Sequence, residues 1–221
     1  MIEVLIVITI IAVLAILSIL GYGRYAASAA KVVSAGNLRQ LQLANANYAA
    51  ERNGRYVSSF SFGNPATASN AWDANQEFLQ YYRGPNTTTS PTYVPVNMLD
   101  PIAYKGKGKN RLMLRGSYGM PEVYGVTYGT PDADSSLKLT QLSTPERTAS
   151  FVTGLDWHIT YGGRLNWDGT EGPVGRGMIA YRHSGKALVA YYDGHVGEVS
   201  MADMRKFDEQ GGKEHPFWKG F

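Results

Sequence analysis

The chain of 221 residues contains no cysteine. That absence excludes disulfide bonds, thiolate nucleophiles, cysteine-ligated zinc and iron–sulfur clusters. Charge is also scarce: charged residues make up 18% of the chain, and the formal net charge is only +3. A charge this small argues against a dedicated nucleic-acid-binding protein. Because hydrophobic residues make up 44%, the composition nevertheless predicts a folded chain rather than a disordered one.

Charge is scarcest in the first 23 residues, which contain one acid, Glu3, and no base. Glu3 is followed by the 17 residues Val4–Leu20, of which only Thr9 and Ser18 are polar. A helix rises ~1.5 Å per residue, so this run would extend ~25–30 Å, close to the thickness of a bilayer core. The sequence thus predicts an apolar helix with an acid at its start.

A cleaved secretory signal is one interpretation of this run, and Ala27-Ser28-Ala29 offers a small-x-small cleavage site. However, the run exceeds the ~7–15 residues of a signal core, and the basic flank of a signal is missing. We therefore expect the segment to be retained in the working molecule.

The helical pattern continues beyond the apolar run. Residues 24–53 contain no proline and are rich in Ala, Leu, Gln and Arg, and Asn53-Gly54 is a left-handed helix stop. The pattern predicts one helix over residues 1–53, ~75 Å long, which is apolar all round over residues 1–23 and amphipathic over 24–53. One apolar stripe recurs there at steps of three or four: Leu38, Leu41, Ala44 and Tyr48.

Residues 54–221 predict a β-rich head domain. One short helix is expected at Trp72–Arg83, and strand-like runs separated by Gly, Pro and Asp favour an antiparallel sheet. We expect the amphipathic half of the long helix to cover one face of that sheet, which makes the fold class α+β. The predicted strands are Arg111–Tyr118, Glu122–Tyr128, Thr148–Gly154, Met178–His183, Ala187–Tyr192 and His195–Ser200.

Two polar segments of the head are interpreted as solvated loops. Asn86-Thr87-Thr88 fits an N-glycosylation acceptor, but it lies in an ordinary Ser/Thr/Pro-rich stretch. KGKGKNR, from Lys105 to Arg111, interleaves bases with glycines, but it lacks the Gly-Lys-Ser/Thr ending of a phosphate-binding loop.

The segment RHSGKALVAYYDGHVGEV is the most distinctive short motif. Two strand-like runs flank Asp193-Gly194, which predicts a two-residue type I′ hairpin turn. His183 precedes Asp193 with nine intervening residues. We expect His183 and Asp193 to fix the ends of this hairpin by hydrogen bonds.

Two regions of the chain resemble one protein family. IEVLIVITIIAVLAIL and NLRQLQLANANYAAERNGRY are similar to the N-terminal helix of type IV pilins and type II secretion pseudopilins. The spacing from His183 to Asp193-Gly194 resembles the histidine-x9-Asp-Gly element near the C-terminus of a large group of prepilin-type proteins. Upstream, LRGSYGMPEVYG and LSTPERTASFVTG look like that group's approach to the element.

The resemblance implies a pilin-like fold and a structural role rather than an enzymatic one. Subunits of this family polymerise into helical filaments through their apolar helices, after residence in the inner membrane. A prepilin peptidase and an assembly machinery are implied as partners, together with leader cleavage and N-methylation. Glu3 is then the assembly residue, and Gly21 and Gly23 form a weak point, because each glycine costs a helix ~1 kcal/mol relative to alanine.

Two alternatives to a pilus subunit remain. The first alternative is a pseudopilin of a type II secretion system. The second is a monomeric, membrane-anchored surface protein whose head binds a glycan or an ion. No motif in the sequence distinguishes retraction, adhesion, DNA movement and secretion as the role of such a filament.

Catalysis and calcium binding are the alternatives to a structural role for the acidic and histidine side chains. His183, Asp193, His195 and Glu198 allow a carboxylate–imidazole pair, but no recognisable nucleophile frame accompanies them, so we expect no enzyme. Calcium remains an alternative cofactor, because acidic loops supply the oxygen ligands it needs, although none has the spacing of an EF-hand. These loops contain Asp132 and Asp134 in one case and Asp168 and Glu171 in the other.

Overall fold

A single helix, α1 (Ile2–Ala50), opens the chain. The computed structural model describes residues 2–59, 71–84, 94–105, 114–123, 136–171 and 177–221. The helix ends where Asn53 and Gly54 adopt positive φ values of 53° and 74°. There the Gly54 amide donates to the Ala49 carbonyl at 2.9 Å. The predicted left-handed stop is therefore confirmed.

Within these ranges, three further helices and five strands follow α1. The strands form one sheet in the order β3-β1-β2-β4-β5. The chain is thus α+β with a five-stranded mixed sheet. The elements are α2 (Gln76–Arg83), α3 (Pro101–Lys105), β1 (Tyr118–Pro121), β2 (Ala149–Thr153), β3 (His158–Ile159), β4 (Lys186–Tyr191), β5 (Val196–Ser200) and α4 (Met201–Glu209).

The prediction of a purely antiparallel sheet is wrong at one edge, where β3 pairs parallel with β1. After β2 the chain crosses closely over β1 to reach its far side. A Cβ atom at Gly119 would lie 2.3 Å from the carbonyl oxygen of Asp156, so this crossing requires glycine in β1. No alternating pattern marks β3, because it has only two residues.

Of the other predicted strands, β2, β4 and β5 are confirmed to within about one residue. The run Met178–His183 is not a strand and makes only isolated bridges, to Gly154 and Lys186. The described part of Arg111–Tyr118 is mainly a 3-10 turn leading into β1. Glu122 and Val123 are not in a strand, and the rest of that predicted run lies outside the described residues.

The predicted helix at Trp72–Arg83 is present as a 3-10 turn, Trp72–Ala74, followed by α2. Helix α4 was not predicted from the sequence. Its N-terminus is capped by Ser200, whose hydroxyl accepts from the Asp203 amide at 3.2 Å. Ser-x-x-Asp is a recognisable helix start, and Met204 and Phe207, three positions apart, form the apolar side of the helix that follows.

Strand β4 divides the core between the two faces of the sheet. Leu188 and Ala190 belong to the cluster that contains Leu38 and Leu41 of α1. Ala187 and Val189 belong to a second cluster, on the face covered by α4 and the C-terminal segment. This alternation is the period of two expected of a strand that is buried on both faces.

Helix α1 docks on the head through polar as well as apolar side chains. Ser34, Asn37, Gln42 and Asn45 are all buried. The Asn37 amide donates to the carbonyls of Asn97 and Leu99 at 2.9 and 3.1 Å. Because buried polar groups require such partners, these side chains tie α1 to specific backbone positions of the head.

Candidate functional site

The first half of α1 presents an exposed apolar surface. Large hydrophobic side chains from Ile2, 77% exposed, to Leu17, 60% exposed, cover every side of the helix. Glu3 is exposed in the first turn. The Thr9 hydroxyl donates to the Leu5 carbonyl of the same helix at 2.8 Å. Within the described residues, no helix meets the combined length and hydropathy needed to cross a membrane.

Gly21 and Gly23 lie within the continuous helical backbone of α1. A Cβ atom at Gly23 would meet nothing within 4 Å, so the position excludes no small side chain in the single chain. The expected weak point concerns the assembled filament, and it stays a prediction.

His183 lies in the interior of the head. Its side chain is 1% exposed, and its Nε2 lies 2.8 Å from Oδ2 of Asp100, which is fully buried. Asp100 stands at the start of α3, where its Oδ1 accepts from the amides of Ile102 and Ala103 at 2.8 and 3.3 Å. An ionised carboxylate only accepts hydrogen bonds, so Nε2 of His183 carries the donated proton.

Helix α1 reaches the same carboxylate. The Ser34 hydroxyl donates to Oδ2 of Asp100 at 2.8 Å. Its oxygen lies 3.2 Å from the Tyr118 hydroxyl. Because the Ser34 proton is already used, Tyr118 donates to Ser34. We call the residues that meet at this carboxylate, Ser34, Asp100, Arg182 and His183, the Asp100 cluster.

Arg182 connects the Asp100 cluster to the rest of the sheet. Its guanidinium donates to both carboxylate oxygens of Glu171, at 2.9 and 3.0 Å. It also donates to the Ser117 and Gly154 carbonyls, at 2.9 and 3.2 Å. Nη1 of Arg182 lies 3.8 Å from Oδ2 of Asp100. Bidentate pairing of this kind fixes a guanidinium firmly.

The electrostatics of the cluster favour an ionised Asp100. Burial by itself raises the pKa of this carboxyl, but the hydrogen bond from His183, the charge of Arg182 and the Ser34 hydroxyl together lower the pKa below its ordinary value. Burial raises the pKa of the Tyr118 hydroxyl well above its ordinary range, and Asp100 raises it further. Tyr118 therefore stays protonated as the donor to Ser34.

The turn at Asp193-Gly194 differs from the predicted type I′ turn. Gly194 has a φ of 95°, but among the described non-glycine residues only Asn53 and Ser184 have positive φ. The Gly194 amide donates to the Tyr191 carbonyl at 2.9 Å, so the central residues are Tyr192 and Asp193. This is a three-residue loop with the glycine in the left-handed position.

The two-residue turn with two positive φ values lies instead at Ser184 and Gly185, whose φ values are 54° and 78°. There the backbone amides of His183 and Lys186 each donate to the other's carbonyl, at 3.0 and 3.1 Å. His183 and Asp193 thus stand at opposite ends of the segment that contains β4, beside two different turns.

Asp193 and His195 form an exposed pair. Oδ1 of Asp193 accepts from the His195 amide at 3.1 Å and lies 2.7 Å from its Nδ1. Glu198 is not part of this pair, because it pairs with Lys31 of α1 and with Lys186. The Asp193 carboxylate therefore closes the turn, and His183 and Glu198 have other partners.

In the described part of the chain, the carboxylates of the candidate calcium loops are bound by other protein groups. Both oxygens of Glu171 are bound by Arg182, and Oδ1 of Asp168 accepts from the amide and hydroxyl of Thr170 at 2.9 and 2.7 Å. No group of three His, Asp or Glu side chains suited to a metal occurs among the described residues. Asp132, Asp134, residues 86–88 and residues 106–111 lie outside them.

Sequence reasoning missed Asp100 and Ser34. The Asp-Pro pair at residues 100–101 is a helix-start signal, and it would have identified Asp100 as the cap of α3. Nothing local indicates that the same carboxylate also binds His183 and Ser34, because those contacts exist only in the folded chain.

No family model, no curated protein and no solved structure matches the chain.

Proposed function

We propose that the chain is a structural, non-enzymatic subunit of a type IV pilus-like filament, which polymerises through the first half of α1. The observation that carries this proposal is the exposed apolar surface of Ile2–Leu17 on a helix whose second half is built into the head core. Exposed apolar surfaces of this extent mark interaction sites.

The energetics favour burial of this surface against other copies. Twelve large hydrophobic side chains between Ile2 and Leu17 are exposed, and burying each contributes ~1.5–3 kcal/mol. The total is large enough to offset the loss of freedom on association. In the proposed filament the helices form a central bundle and the heads form the outer surface.

Glu3 has a specific role in this proposal. An unpaired carboxylate in an apolar helix bundle is strongly unfavourable, so it requires a cation from a neighbouring subunit. We assign that cation to a neighbour's N-terminal amine. This pairing would select one axial register between helices that hydrophobic burial alone leaves free to slide.

Localisation and partners follow from the same proposal. Before assembly the subunit resides in the inner membrane, where a prepilin peptidase and an assembly machinery process and extract it. The finished filament is extracellular or spans the periplasm. The same helix would equally serve a pseudopilin of type II secretion, whose short filament acts as a piston.

Assembly of the purified full-length chain on detergent removal tests the proposal. We expect helical filaments by negative-stain electron microscopy. Ile10→Lys, in the exposed apolar surface, should abolish them, and the matched change Glu209→Lys on the exposed side of α4 should not. A chain that stays monomeric, or that gives only amorphous aggregates with or without Ile10→Lys, would contradict the proposal and favour a monomeric surface protein.

A further inference from the structure

The segment from His183 to Gly194 meets α1 at two separate polar points. At the first point, His183 and Ser34 both bind Oδ2 of Asp100 at 2.8 Å. At the second point, the side-chain amide of Gln42 donates to the Tyr192 carbonyl at 2.9 Å. The polar side chains at the two points are all buried: Ser34, Gln42, Asp100 and His183. Tyr192 contributes only its backbone carbonyl.

Each point is held by its own turn. The Ser184-Gly185 turn places His183 at the entrance of β4, through the paired backbone bonds to Lys186. At the exit, the Asp193 carboxylate bonds the His195 amide. The Tyr192 amide donates to the Thr148 carbonyl at 3.2 Å. The Tyr192 carbonyl is therefore fixed in the direction of α1.

The contact between α1 and β4 lies between the two points and is apolar. Leu188 and Ala190 of β4 belong to the same buried cluster as Leu38 and Leu41. Ser34 and Gln42 are eight residues apart, which is ~12 Å along a helix at ~1.5 Å per residue. Strand β4 thus lies against the docked part of α1, between the two polar points.

We propose that residues 183–194 form a two-point clasp for α1. In this proposal the nine residues between His183 and Asp193 are the length of chain that joins the two points. His183 acts as a positioning residue: it holds Asp100 so that the carboxylate accepts from Ser34. The clasp fixes the rotation of α1 on the head between Ser34 and Gln42.

This inference does not depend on the filament proposal, because it concerns a single chain. The absence of cysteine allows clean spin labelling of the full-length chain in detergent. One label pair joins Ser28→Cys, upstream of the clasp, to Glu209→Cys on the head. A second pair joins Asn47→Cys, beyond Gln42, to the same head position; all three labelled positions are exposed.

Pulsed electron paramagnetic resonance should give a single narrow distance distribution for both pairs in the parent chain. Ser34→Ala, which removes one oxygen atom, and His183→Gln should each broaden the distance distribution of the Ser28 pair. Both should leave the Asn47 pair narrow, because the Gln42 point persists. The matched change His195→Gln, in the exposed turn of the same hairpin, should alter neither pair.

Narrow distributions for the Ser28 pair in Ser34→Ala would overturn the proposal. So would equal broadening of both pairs, since α1 and the head would then respond as one body. If His183→Gln fails to fold, as judged by near-ultraviolet circular dichroism, Ser34→Ala alone decides between these outcomes.

Discussion

Ser34 and His183 bind the same atom, Oδ2 of Asp100, from opposite ends of the sequence. One belongs to the long N-terminal helix and the other to the turn before β4. A carboxylate that accepts from both is a tertiary link between the two elements, so its loss should weaken the attachment of one to the other.

Asp100→Asn should destabilise the head by ~3–5 kcal/mol, because it leaves a buried cluster with a missing charge. Asp193→Asn is the matched control at an exposed turn, where the loss should be less than ~1 kcal/mol. Urea unfolding of the full-length chain, followed by tryptophan fluorescence, measures both. Equal unfolding midpoints for the two variants would show that the Asp100 cluster contributes little.

The stabilisation from Asp100 should depend on pH in a defined window. Its pKa in the folded chain lies below the ordinary value of 3.8, so the unfolded chain binds the proton more readily. The contribution is complete above about pH 4 and is lost as the pH falls through the folded-state pKa. The difference in unfolding free energy between parent and Asp100→Asn should therefore shrink below about pH 4. A difference that stays constant from about pH 7 to about pH 2 would contradict this.

Gly194→Val should lower head stability by ~1 kcal/mol or more, because φ is 95° at this position and valine rarely adopts it. A Cβ atom at Gly194 would meet nothing within 4 Å, so the loss is due to backbone strain and not to a clash. Gly194→Asn should lose less, since asparagine tolerates positive φ better. Thermal melting of both variants gives the comparison; identical losses would point to another cause.

Glu3→Ala should leave the head folded but sharply reduce filament formation. The lost carboxylate removes the register-selecting charge, whereas hydrophobic burial remains. Thr9→Ala is the control, because Thr9 bonds a carbonyl of its own helix and has no proposed partner in a neighbour. Filament number and length from electron microscopy decide the question. Normal filaments from Glu3→Ala would leave only a favourable interaction with the helix dipole, worth ~0.3–1 kcal/mol.

Assembly should open the helix locally around Ser18–Gly23. In the single chain α1 is continuous there, but Gly21 and Gly23 make this stretch the least costly to unwind. A filament reconstruction would show the backbone directly. Continuous helical hydrogen bonding from Ile6 to Ala49 in the filament would rule this out.

Local signals account for the parts of the fold that could be predicted. The stop at Asn53-Gly54 and strands β2, β4 and β5 follow from turn residues and short-range alternation. The hydrogen-bond partners of Asn37 and Gln42 could not be predicted in this way. Side-chain amides on a helix usually face solvent, but these two face the head. The exposed apolar half of α1 could be predicted because its pattern is complete within one segment. The Asp100 cluster could not, because its members lie in three distant segments.

The placement of α1 against β4 also constrains the order of events during synthesis. The helix leaves the ribosome first, but the strand that covers Leu38 and Leu41 is made near the end of the chain. At ~5–20 residues per second, the delay is roughly 7–30 s. Throughout that interval both halves of α1 expose apolar surface, and contacts this distant in sequence form slowly. We therefore expect a membrane or a chaperone to cover the first helix of the nascent chain before its own head can do so.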